Sequence, residues 1–559
     1  MKKAKSILCV LLVLVMVFAM FACKKTGPNG TPAPGTSTPG TSEPGASTPG
    51  TASPSPSEPG APAPVDEWVS LTLGVDNYLG RFLAGINPAE SWTGCDGVFD
   101  SIFKVNLVTK ETMSDVLKDW HYEDEGTTLI MNMREDVYFS NGDNATAEDI
   151  VFSYFSHQDR GSNYLNNFGL IREECVARDT YTVVFKFEKA YPAFTNSSIY
   201  LLNKAWSEQV GWESMEWYAP VASGPYYVEE WVADSHMVLR LREDYWNKDI
   251  GEFYVDEWTI KYFPDASTLY MSLEVGDIDI AANLSSADYG RFVKNGGDGF
   301  EAKLMQAGST LNFIFGFADA PGIWEDIRIR EAMSMAVKWD EVGQLAMGDM
   351  YMPAYSVASS KSANFVNTGT FEYNPERAKE IFAELGYTES NKLKISTTMM
   401  DSMMYKNVCE GFKFYADQLG CIDATIEHAD TSTALGVWLS PGGNDFGFWY
   451  SVSGSPTGEV RAAISEAADP SGVTWDYVPF PDFLEIYERM ANSVDPDVVN
   501  AASKEIQQYM YDNIIYIPCA EWTYSVGWRT DKVTEEQILA YNRSTNNFQI
   551  SKFGLASAW

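Results

Sequence analysis

From residue 24 to residue 65 the chain carries eleven of its 26 prolines, and six recur every fifth residue: Pro34, Pro39, Pro44, Pro49, Pro54 and Pro59. Gly, Ser and Thr fill the intervals, so this stretch has no apolar face to bury and cannot build a core. It is expected to act as a tether, reaching from about 40 Å as a coil to about 130 Å as extended polyproline II. Folding therefore falls to residues 66–559, and a chain of 559 residues needs more than one core, which suggests two or three domains. A hydrophobic share of 45%, with 14% aromatic, is enough to fill them.

Ahead of the tether, MKKAKSILCVLLVLVMVFAMFA sets Lys2, Lys3 and Lys5 before an apolar run from Ile7 to Ala22, the plan of a secretory signal and short for a permanent span. The run ends at Met20, Phe21, Ala22 and Cys23, which resembles the bacterial lipobox, although Phe21 is bulkier than that pattern usually allows. The resemblance implies a lipidated Cys23 and a chain anchored to the outer face of the cell membrane. Removal of residues 1–22 takes three lysines and no acid, which moves the formal net charge from −37 to −40. Such acidity argues against nucleic acid as a partner and against electrostatic attraction to anionic lipid. The body holds Cys95, Cys175, Cys409, Cys421 and Cys519, an odd number without CxxC spacing, read as mostly buried thiols.

Strand and helix patterns alternate along the body in an α/β manner, without an internal repeat. LTLGV (71–75) reads as a first strand, followed by the loop DNYLGRFLAGINPAESW; TLIMNM reads as another strand, with a turn at Asn141 to Asp143 and a capping box from Thr146 to Asp149 opening a helix. Ile150, Val151, Tyr154 and Phe155 form the core-facing stripe of that helix. In EYNPERAKEIFAELGY, Asn374 caps, Pro375 takes the first turn and Gly386 ends the helix; Asp495 and Pro496 start another that runs to about Tyr511 and feeds the strand IIYIP.

No reactive constellation is legible. His121, His157, His236 and His428 are scattered without paired-ligand spacing, so no metal site is expected, and no nucleophile elbow, Walker loop or dinucleotide glycine pattern occurs, so no cofactor is expected. With 77 acids, carboxylate pairs arise by chance. A binder, not an enzyme, is the expectation.

Six blocks in order carry a resemblance: MREDVYFSNGDNATAEDIVFSY (133–154), SGPYYVEEW (223–231) with LREDYWNKD (241–249), FPDASTLYMSLEVGDIDIA (263–281), EDIRIREAMSMAVKWDEV, NPERAKEIFAELGY, and the terminal helix and strand ending at Tyr516, Ile517 and Pro518. Together they resemble the family 5 extracellular solute-binding proteins, the oligopeptide- and dipeptide-type receptors of ABC importers. The resemblance implies an α/β, two-lobed, periplasmic-binding-protein-like type II (cluster C) fold with a discontinuous first lobe and an interlobe ligand cleft. It places lobe one at 66–311 with an inserted subdomain at about 96–214, a hinge near Leu311, Asn312 and Phe313, lobe two at 312–519, and a return at 520–559. It also implies a monomer that closes on a small solute and presents it to an ABC permease.

In peptide-binding members of that family, a strand entering the cleft from lobe two is followed by a Trp and, three residues on, by an Asp that pairs with the ligand's amino terminus. NDFGFWYSVSGSPTG (444–458) resembles that strand: Asp445 matches its opening acid and Trp449 its Trp, which puts Val452 at the ligand-facing position. No acid occurs from Phe446 to Gly458. Three readings of that absence stand: a peptide whose amine is met elsewhere, as by Glu521 beside Trp522; an oligosaccharide stacked on Trp and Tyr; or an envelope signalling or structural lipoprotein. The candidate contacts are Trp449, Tyr450, Ser451, Ser453, Ser455, Asn77, Tyr78, Glu521 and Trp522, while Trp438 either contributes or packs its neighbourhood.

Overall fold

The computed structural model describes residues 68–76, 79–83, 93–105, 112–159, 169–196, 199–248, 253–438, 443–450, 460, 468, 477–541, 550 and 553. The signal segment, Cys23 and the tether lie outside them. Strand β1 (Ser70–Val75) opens the body, followed by the short pair β2 (Lys104–Val105) and β3 (Thr112–Met113). Strands β4 (Leu117–Glu123), β5 (Thr128–Met133), β6 (Val176–Ala177) and β7 (Thr182–Lys186) form an antiparallel sheet in the order β4-β5-β7-β6. Next come the hairpin β8 (Tyr226–Val232) and β9 (His236–Leu241), then β10 (Glu257–Tyr262), β11 (Ile280–Ala281) and the long β12 (Phe300–Phe315). In the second half β13 (Leu393–Met400) and β14 (Ile422–Ala429) pair in parallel, and β15 (Phe446–Tyr450) and β16 (Tyr516–Arg529) complete the set.

One eight-stranded sheet, β15-β12-β16-β11-β1-β10-β9-β8, runs through the body. Its longest strands, the antiparallel pair β12 and β16, lie next to the edge strand β15, with β15 paired to one end of β12 and β11 to the far end of β16. Those two ends belong to different cores. Leu311, Phe313, Phe315, Ile517 and Ala520 sit in one, with Phe412, Phe446 and Phe448; Met305, Tyr524, Val526 and Trp528 sit in another, with Leu73, Trp258 and Ile260. A third core fills the four-stranded sheet and a smaller one lies under the helix Ala266–Val275. This is the two-lobed type II arrangement.

The change of core falls at residues 308–310 on β12 and 521–523 on β16, because Ala307 packs on the lobe-one core and Leu311 on the lobe-two core. The boundaries expected from sequence, 311/312 and 519/520, lie within a few residues of this change. The third core draws on residues from Ile102 to Leu201 and on Val221, Tyr245, Trp246 and Phe253, whereas Trp206, Val210 and Trp212 pack on the lobe-one core.

The local signals hold. Thr146 donates from its backbone N (2.8 Å) and Oγ1 (2.9 Å) to Asp149 at the start of the helix Ala147–Asp159, the reciprocal bond of a capping box. Asn374 accepts from Arg377 N (3.1 Å) at the helix Pro375–Glu384, and Asp495 from Asp497 N (2.9 Å) at the helix Pro496–Asp512. The blocks quoted above are mostly joints. Arg242 is buried and donates to the carbonyls of Ala222, Ser223 and Gly224, while Asp100 accepts from Tyr245 OH (2.8 Å) and Trp246 Nε1 (2.9 Å).

Candidate functional site

At the crossing the β12/β16 ladder is interrupted twice. Gln306 pairs with Thr523 and Thr310 with Glu521, which leaves Ala307, Gly308 and Ser309 opposite Trp522; then Leu311 pairs with Ala520 but Asn312 with Pro518, which skips Cys519. Gly308 has φ +80°, a conformation that favours glycine and suits a bulge. A lobe-two strap, residues 350–360, is fastened over these irregularities. Thr523 Oγ1 donates to Met350 O (2.6 Å), Glu521 N to Met352 O (2.9 Å), Thr310 Oγ1 to Val357 O (2.7 Å), and Gln306 Nε2 to Ser360 Oγ (2.9 Å).

The lobes also meet away from the crossing. Ser286 Oγ donates to Met347 O (3.0 Å) and accepts from Asp349 N (2.9 Å). Farther out, Lys189 pairs with Glu488 at 3.3 Å, and a Cβ on Gly126 would stand 2.8 Å from a Val494 methyl. The two lobes thus touch at the crossing strands, at Ser286, and between residues 189–190 and 488–494.

On the lobe-two side, two side chains at the opening of β15 accept bonds from β13, although Asn444 Nδ2 is buried without a hydrogen-bond partner. Asp445 accepts from Ser396 N (2.7 Å) and Oγ (3.0 Å), and Asn444 Oδ1 from Thr398 N (2.7 Å) and Thr397 Oγ1 (3.1 Å). Phe446 and Phe448 face the lobe-two core, against Phe313 and Phe412. Trp449 is half-buried and packs against the same core, edge-on to Trp438 (4.5 Å between centroids) and parallel to Tyr405 (6.4 Å). Trp438 is buried and donates to Thr398 O (2.6 Å), so it packs the wall and holds Trp449 in place. The backbone of Tyr450 lies opposite Leu311 at the crossing. Ser451, Ser453, Ser455, Asn77 and Tyr78 lie outside the described residues.

Glu521, named from sequence as the substitute partner for a ligand amine, is 2% exposed and bonded through both oxygens: Ser359 Oγ donates to one and Ser360 N to the other, each at 2.7 Å. Its carboxylate secures the strap. Trp522, the next residue, is half-buried opposite the first bulge.

The lobe-one side holds a residue that sequence reasoning passed over. Asp76 follows β1 directly and accepts from Asn283 Nδ2 (2.9 Å) through Oδ2, while its Oδ1 is buried without a hydrogen-bond partner. Burial pushes this carboxyl above the usual carboxylate range, against the smaller lowering effects of Asn283 and its own backbone N–H. The available signal was position: Asp76 ends the predicted strand LTLGV at the start of the loop from which Asn77 and Tyr78 were chosen.

The remaining chemistry is quiet. A depression of about 430 Å³ lined by Leu117, Lys118, Met133, Arg134, Glu135 and Asp136 has its Arg134 already paired with both Asp136 oxygens (2.9 Å each). Among the described residues no cluster of three His, Cys, Asp or Glu is placed to hold a metal ion, and no helix is long and apolar enough to cross a membrane. The five body cysteines are buried and not joined in disulfides, and burial pushes the Cys175 thiol to about 11 and that of Cys409 to about 12.

Comparison with known proteins gives a consistent picture. The family model described as bacterial extracellular solute-binding proteins, family 5 Middle, matches residues 111–467. The oligopeptide-binding protein AppA of Bacillus subtilis is 25% identical over 304 residues, 51% of this chain and 53% of that protein, so the match spans about half the relative's length. Among solved structures, a putative peptide-binding protein AppA from Clostridium difficile superposes with a TM-score of 0.72 at 16% identity, covering 86% of this chain and 99% of that one. The ABC transporter substrate-binding protein CtaP of Listeria monocytogenes gives 0.71 at 19% identity, with 87% and 99% covered.

Proposed function

The chain belongs to the bacterial extracellular solute-binding proteins, family 5, an extracytoplasmic family of receptors, and on that premise we propose that it captures oligopeptides and delivers them to an ABC permease. The observation that carries this reading is the family match over residues 111–467, lying on two lobes joined by one pair of crossing strands. Such a pair lets the lobes close on a solute without breaking either core. Binding, not turnover, is the whole of the chemistry. The receptor works as a monomer, held to the membrane through lipid on Cys23, with the proline tether setting its working distance.

An oligosaccharide is the second reading, and one observation favours it: half-buried Trp449 and Trp522 border the crossing, while no acid occurs from Phe446 to Gly458. One experiment separates the two. Thermal denaturation is followed with a panel of tri- to nonapeptides and, in parallel, with cello-, xylo- and malto-oligosaccharides, and mass spectrometry tracks each compound. A peptide receptor gains stability with peptides and returns them intact. Stabilisation by sugars alone would transfer the site to the second reading, and cleavage of the bound compound would refute both.

A further inference from the structure

We propose that Asp76, presented by lobe one and oriented by Asn283, is the acid that receives the free amino terminus of a bound peptide. This rests on the peptide reading above and specifies which lobe recognises the ligand's charge.

The register places Asp76 at the edge of lobe one that faces lobe two. Gly74 of β1 lies opposite Ala281 of β11, and Ala281 opposite Gly527 of β16. Beyond Ala281 the chain advances along β16 toward the crossing: Leu284 N donates to Ser525 O (3.1 Å), and Ser525 Oγ donates back to Leu284 O (3.2 Å). Asn283, which holds Asp76, is therefore level with residues 525–526, a short step from Glu521 where the cores change. Three residues past Asn283, Ser286 touches Met347 and Asp349 of lobe two. Asp76 stands at the carboxyl end of a strand parallel to both its neighbours, β10 and β11, and the crevice beyond such ends is where open α/β sheets bind ligands.

The chemistry agrees with the placement. Oδ2 has its amide donor, Oδ1 has none, and among the described residues no Lys or Arg pairs with Asp76. A carboxylate with one oxygen buried and unpartnered is stabilised most by a cation that brings several N–H donors, and a peptide's terminal ammonium brings three. Glu521 is already bonded at both oxygens, and Asp445 at Oδ2 to the backbone and hydroxyl of Ser396.

The test uses the purified protein, a panel of tri- to nonapeptides with free amino termini, and the same peptides N-acetylated, with affinities from calorimetry. The wild type is expected to prefer free termini by about tenfold or more, the worth of one charge-assisted hydrogen-bonded contact. Asp76→Asn, which keeps the shape and loses the charge, brings the two sets within about twofold while the ligand-free fold is retained by circular dichroism. Asp76→Glu keeps part of the preference, and Asp76→Ser serves if the Asn variant is insoluble. A wild type indifferent to acetylation, or an Asp76→Asn variant that keeps the preference, overturns the assignment and leaves the peptide reading intact. A wild type that binds no peptide, free or blocked, overturns the peptide reading and this assignment with it.

Discussion

Two acids stand on either side of the crossing and are treated in opposite ways. Glu521 lies under the strap at 350–360, with a donor on each oxygen and 2% exposure. Asp76, on the lobe-one edge, has one side-chain donor, Asn283, and one buried oxygen without a hydrogen-bond partner. The first is what a packed polar joint looks like, since burying a carboxylate without full hydrogen bonding costs more than a single bond returns. The second leaves that cost standing, and a fold tolerates it where a ligand later removes it. Saturation therefore separates acids that hold the scaffold from an acid kept in reserve.

The contrast can be broken most directly at Glu521. Replacing it by Ala strands the Ser359 hydroxyl and the Ser360 N–H and is expected to cost about 3 kcal/mol in urea denaturation. A loss below about 1 kcal/mol would mean the strap is held by its other bonds and the two acids differ less than their geometry suggests. Asn444→Ala, which removes the acceptor for Thr398 N and Thr397 Oγ1, should cost about 2 kcal/mol by the same measurement.

Asp76→Asn should go the other way, stabilising the ligand-free protein at neutral pH by on the order of 1 kcal/mol. The sign follows from linkage. Burial raises the Asp76 carboxyl above its unfolded value, so the folded state holds that proton more tightly, and wild-type stability falls as pH rises from the ordinary carboxylate range through the folded value. Below that range both states are protonated, and wild type and variant converge. Melting curves of both proteins across pH check this, and an advantage that grew toward acid would contradict it. The smallest effect belongs to the exposed rim pair: Lys189→Ala should change stability by no more than about 0.5 kcal/mol, measured by thermal melting at low and moderate salt.

Most of the scaffold was legible because its signals are local. Asn374 followed by Pro375, or Thr146 three residues before Asp149, states a helix start within one turn of chain. The aromatic run around Trp449 was also legible as a strand entering the crossing, although only pairing could show that Phe446 and Phe448 fill a core while Trp449 leans on Trp438. Asp76 was not legible. It is one of 77 acids, and what distinguishes it is an amide 207 residues away and a buried Oδ1 without a hydrogen-bond partner, both products of packing. Glu521 was noticed for the right neighbourhood, but its engagement by Ser359 and Ser360 depends on a loop 161 residues earlier.

The two interruptions in the β12/β16 ladder also set the mechanics of the receptor. A ribbon of two hydrogen-bonded strands resists shear in its own plane and bends across its thin dimension, and the bulges at Gly308 and Cys519 weaken it where the cores change. If the strap at 350–360 moves with lobe two, the joint is expected to act as a flexure with one soft axis. The state of the cleft is then close to a single number, the bend of one ribbon, so a membrane partner that touches both lobes can sense whether the vessel is full without contacting the cargo.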